Sequence, residues 1–149
     1  MPDELLRPTI GADVDLSVRP WRLMSQAYVA FFGGVIAATV IAVVNARRLG
    51  VPAKGRLLIL LSGGAGLILA AAAFVLMTDE LTASSGPRLV IRVIAVLTCL
   101  VQLRIQQPMD RAFQLRGAEY KSLWVPGIAA VIGGGLLEIA LLELVAVAV

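Results

Sequence analysis

The chain has 149 residues, 59% of them apolar and only 15% charged, with a mean hydropathy of +0.90; that excludes a water-soluble globular domain, which needs more polar surface to cover its core. The net charge of +3 comes from Lys and Arg placed between apolar runs, not gathered on a face with aromatics, which excludes a nucleic-acid surface. There is one cysteine and no histidine, so disulfides, paired-cysteine redox chemistry and the usual zinc sets are excluded, and no metal or cofactor is expected.

Residues 1–26 mix acids, prolines and polar residues and lack the basic-then-apolar order of a cleavable signal peptide. They read as an extramembrane tail, with Trp21 and Arg22 near its end and Tyr28 at the edge of the first apolar run as interfacial anchors. The rest, 27–149, reads as one all-α membrane domain, a bundle of four transmembrane helices. The first run, 27–44, covers about 27 Å and the second, 57–77, about 31 Å, close to a hydrocarbon core. The third, 87–105, has a short apolar centre between Arg88 and Arg92 at one end and Gln102 and Arg104 at the other, with arginines long enough to snorkel. The fourth, 124–149, opens "WVPG", an aromatic anchor followed by a proline in the first turn. Residues 106–123 form the last connection, with room for a short amphipathic helix. Cys99, inside the third run, reads as a small buried hydrophobe.

With four crossings, loops one and three share a side. They carry four basic residues each, eight in all, against three in the tail and one at the second loop, four in all. The positive-inside rule then places both termini outside a plasma membrane.

Small residues recur at steps of four: Ala30, Gly34, Ala38 and Ala42 in the first run, Ser62, Gly66 and Ala70 in the second. That spacing keeps them near one helix face, where backbones approach closely, so both strips are expected to be packing faces. "SGGAG" and "GGG" lie inside apolar runs without the lysine or strand of a phosphate loop. They fit close packing or a locally loosened helix.

A carboxylate deep in a bilayer is costly, so it faces an interface or a polar cavity, pairs with a cation, or takes up a proton. Under four crossings Glu138 falls just past the midplane and Glu143 near the outer surface, and Arg92 occupies the same leaflet. An ion pair or polar site between Arg92 and one of these acids is expected. The two acids are about 140° apart around the helix, so only one can face the bundle.

"NARRLG" at 45–50 reads as a helix end: Arg47 and Arg48 suit the negative end of the dipole, and Gly50 a left-handed cap. Together with Lys54 and Arg56 they form either an anchor or a contact site for anionic lipid headgroups.

"WRLMSQAYVAFFGGVIAATVIAVVNARRLG" and "AFQLRGAEYKSLWVPGIAAVIGG" together resemble small bacterial, actinobacterial-type membrane proteins with an FFGG opening, an N-x-R-R-L-G helix exit and a Gly-then-Trp approach to the last helix. The resemblance implies a multi-span membrane fold and brings no catalytic residue or ligand. The leading expectation is a non-enzymatic packing or assembly component, a homo-oligomer or the partner of another membrane protein. A small transporter or channel subunit lined by Arg92, Thr98, Gln102 and Glu138 is the first alternative. An intramembrane enzyme is the second; Asp79, Glu80, Ser84 and Ser85 are its nearest approach to a reactive cluster, and adjacent acids on a turn are normally solvated.

Overall fold

Inside lipid a backbone must satisfy its own polar groups, and an apolar chain does so by forming helices. The computed structural model describes residues 18–77, 86–117 and 119–148. It is an all-α four-helix bundle: α1 (Leu23–Arg48), α2 (Ala53–Leu76), α3 (Gly86–Leu115) and α4 (Trp124–Ala148), each long and apolar enough to cross a membrane. Most of the tail, including Arg7, and the second-loop residues Asp79, Glu80, Ser84 and Ser85 lie outside the described residues.

The first helix departs from a straight span. Gly34 has φ 81° and ψ −166°, a combination that almost only glycine adopts, and the chain reverses there. A straight helix would separate Trp21 from Asn45 by about 36 Å, yet the Trp21 amide donates to Asn45 Oδ1 at 2.7 Å. The Arg48 guanidinium likewise donates to the Arg19 carbonyl at 3.3 Å and lies 4.1 Å from the Trp21 ring centroid. Residues 23–33 and 35–48 are therefore two antiparallel arms of a helical hairpin, about 17 and 21 Å long.

The arms approach closely because their facing residues are small: Ala30, Ala37, Ala38, Ala42 and Ala46 are all fully buried. α4 lies against the tip, where a Cβ on Gly134 would come 2.8 Å from the Ala37 backbone and one on Gly33 2.8 Å from Val131 Cα. On α2 the buried face is Ile59, Gly63, Gly66 and Ala70. Gly63 receives Thr39 of α1 and Gly66 receives Thr98 of α3.

α3 runs ten residues past its expected end at 105 to Leu115, through Pro108, so most of the third connection is helix. Beyond it, residues 119–123 lie against residues 19–21. The Lys121 amide donates to the Pro20 carbonyl at 2.9 Å, and Arg19 pairs with Glu119 at 3.1 Å. This end of the bundle thus gathers residues 18–22, both feet of the hairpin and the start of α4. Ala148 lies about 36 Å along α4 from Trp124, at the other end. The first and last described residues are on opposite ends of the bundle, whereas four straight crossings place them on the same one.

Candidate functional site: the capped hairpin tip and its polar seam

Breaking α1 at Gly34 exposes the carbonyls that end the first arm and the amides that begin the second. Each set meets a side chain of opposite charge. Arg92 of α3 donates to the Phe32 carbonyl at 3.1 Å, at the negative end of the first arm's dipole. Glu138 of α4 accepts from the Ile36 amide at 2.9 Å, with the Val35 amide as a second backbone contact, at the positive end of the second arm's dipole. Glu138 is 4% exposed. Its carboxylate occupies the space a Cβ on Gly34 would fill, so glycine is required there twice over, for its φ and for its missing side chain.

Of the two acids it is Glu138, not Glu143, the nearer to Arg92 in expected depth, that is brought to the same place as Arg92, and both meet the α1 backbone rather than each other. Among the described residues the one ion pair is Arg19–Glu119. Glu143 is exposed, about 8 Å further along α4, and takes no part in the tip.

From the tip a seam of buried polar side chains runs to the foot of the hairpin. Thr39 Oγ1 donates to the Val35 carbonyl at 2.8 Å and accepts from Gln102 Nε2 at 2.9 Å. Gln106 Nε2 donates to the Gln102 carbonyl at 3.3 Å and to Gln26 Oε1 at 3.4 Å. Asn45 Nδ2 donates to Gln106 Oε1 at 3.0 Å and to the Trp21 carbonyl at 3.2 Å, closing the hairpin base. Gln26, Asn45, Gln102 and Gln106 are all fully buried. Three atoms along the seam, Trp21 Nε1, Gln26 Nε2 and Gln102 Oε1, have no hydrogen-bond partner. Thr98 turns back onto its own helix, donating to the Ile94 carbonyl at 2.9 Å.

The small-residue strips are placed as follows. Ala30, Gly34, Ala38 and Ala42 are all buried, but the reversal divides them between the two arms and the turn. Ala30 and Ala38 pack in one cluster with Cys99 and Leu103 of α3. Gly66 and Ala70 are buried as expected, while Ser62 is only half-buried and donates to the Ile59 carbonyl at 2.8 Å; Gly63 takes its place on the contact face. Arg47 and Lys54 are exposed and Arg48 and Arg56 half-buried, all at the foot of the hairpin.

The seam's members on α1 were not among the expected site residues. The signal for them lies on α3, where Thr98, Gln102, Gln106 and Asp110 recur every fourth position and are all buried. A polar stripe of that period on an apolar helix calls for polar partners in the facing helix. Compared with protein-family models, curated proteins and solved structures, the chain matches none.

Proposed function

We propose that the protein is a non-catalytic component of a bacterial plasma membrane that serves as a packing or assembly partner. In this reading α2, α3 and α4 cross the bilayer, while α1 enters from one face and returns to it. The observation that carries the role is the use of Arg92 and Glu138: both are engaged by the backbone of the hairpin tip, which suits a charge pair that maintains a fold.

Orientation follows from the hairpin. Every described Lys and Arg except Arg88 and Arg92 belongs to the end that holds residues 18–22, since folding α1 back brings Arg19 and Arg22 to the side of loops one and three. The positive-inside rule then favours this end as cytosolic and Ala148 as external.

A small transporter or channel subunit is the second reading, favoured by the unpartnered Gln26 Nε2 and Gln102 Oε1 in the seam. One experiment separates the two: mass measurement in mild detergent, with proton and cation flux into vesicles carrying the wild type, Glu138→Gln or Arg92→Gln. The assembly reading expects a defined oligomer or complex and no flux above empty vesicles. A flux that either substitution abolishes while the assembled mass is unchanged contradicts it.

A further inference from the structure

At the foot of the hairpin a cleft of about 440 Å³ is lined by Val18, Arg19, Arg48, Tyr120, Lys121 and Ser122. We infer that this cleft binds the phosphate of an anionic phospholipid headgroup. Its walls are two segments distant in sequence, joined by the bridge between Trp21 and Lys121 and the hydrogen bond from the Lys121 amide to the Pro20 carbonyl. Arg48, which also lines it, is not a free surface cation: stacking on Trp21 at 4.1 Å and a bond to the Arg19 carbonyl hold it in place. Three cationic side chains and the Ser122 hydroxyl thus line one concavity, while the Tyr120 hydroxyl is given to Asp110. That donor set suits a phosphate oxyanion.

Among the described residues the acids beside the cleft are Asp110, which accepts the Tyr120 hydroxyl at 2.9 Å, and Glu119, paired with Arg19. Both side chains of that ion pair are more than half exposed, at 79% and 58%, so the pair is weak and a phosphate can displace it. Depth favours a lipid as the source of that phosphate. Trp124, 78% exposed at the start of α4, marks the interface where aromatic belts sit, and Lys121 and Ser122 precede it by two or three residues. The inference rests on the membrane reading of the bundle but not on which face is cytosolic or on the assembly role.

Native mass spectrometry of the full chain in mild detergent tests it, with phosphatidylglycerol and phosphatidylcholine supplied at equal concentration and inorganic phosphate in a separate arm. Phosphatidylglycerol adducts are expected to exceed phosphatidylcholine adducts, and Lys121→Gln to weaken them about fivefold. Lys121 holds its segment through its backbone amide, which Lys121→Gln leaves in place. Arg48→Gln is expected to weaken the adducts at least as much, and Lys54→Gln, on the same basic end but outside the cleft, less than about twofold. Equal losses for Lys54→Gln and Lys121→Gln, or none for Lys121→Gln, overturn the site in favour of a diffuse basic surface. Inorganic phosphate bound with the same dependence on Lys121 makes the ligand a soluble anion and overturns the lipid assignment.

Discussion

The Glu138 carboxylate on α4 accepts a 2.9 Å hydrogen bond from the backbone amide of Ile36, 102 positions earlier in the chain, and so caps the second arm of a hairpin formed by the chain's first apolar run. A side chain costly to bury in lipid thereby becomes the cap of backbone groups equally costly to leave open. Arg92 does the same for the opposite pole of the break. Reciprocal capping accounts for two intramembrane charges without a substrate.

Removing the cap is expected to loosen the tip. Glu138→Ala leaves the amides of residues 35 and 36 without an acceptor and is expected to lower stability by about 1–3 kcal/mol, seen as a fall in the melting temperature in mild detergent. Glu138→Gln keeps an acceptor oxygen and is expected to lose less. Equal losses for the two would show that the bond to Ile36 contributes nothing.

Gly34→Ala combines an unfavourable φ with overlap against the Glu138 carboxylate. The backbone conformation alone is expected to cost at least about 1–2 kcal/mol. Gly64, where a Cβ meets nothing within 4 Å, is the control: Gly64→Ala is expected to leave the melting temperature unchanged or to raise it slightly. A Gly34→Ala protein as stable as the wild type would contradict the reversal at that residue.

Asn45 joins Trp21 at one foot of the hairpin to Gln106 of α3. Asn45→Ala and Gln106→Ala are each expected to destabilise by about 1–3 kcal/mol, with the double variant losing less than their sum. Strict additivity in that cycle would argue against the 3.0 Å bond between them.

Outside the membrane-spanning segments, burial and the bond Tyr120 donates to Asp110 at 2.9 Å raise the Tyr120 phenol above its ordinary value of 10.0. The neutral phenol is the form favoured in the fold, so its contribution is fully present below pH 10 and is lost as pH rises past it. Ultraviolet titration of a Tyr28→Phe variant isolates the Tyr120 phenol, and its midpoint is expected above that of tyrosine in a short peptide. Asp110→Asn is expected to lower the midpoint toward the peptide value, and an unchanged one would remove the hydrogen bond as a cause.

Hydropathy alone predicts four apolar helices, and four are present, because run length and the lack of charge are properties of composition. Helix rise sets Arg92 near the acids of the last run but ranks Glu143 nearer than Glu138, because rise says nothing of which face of α4 meets the bundle. The reversal was not legible: 27–44 is long enough to span, and a glycine pair within it suits close packing as well as a turn. What distinguishes the two is tertiary, the presence of Glu138 and Arg92 at the right height to cap both ends of a break. "FFGG" acquires its meaning only with the acid of "LLEIALLE" beside it. The reversal also regroups the charges, since it brings Arg19 and Arg22 to the end of the bundle that holds loops one and three. The seam was half legible, as the polar stripe of α3 shows its period while its partners on α1 become neighbours only after folding back.

The reversal itself is tested most directly by which face of the membrane each foot of the hairpin reaches. In a Cys99→Ser background, Val18→Cys and Lys54→Cys are to be labelled with a membrane-impermeant maleimide in intact cells and in inverted vesicles, with Ala148→Cys as the marker of the opposite face. The hairpin predicts that positions 18 and 54 react from the same side, in inverted vesicles, and position 148 in intact cells. Labelling of positions 18 and 54 from opposite sides would show that α1 crosses the bilayer straight and would contradict the account.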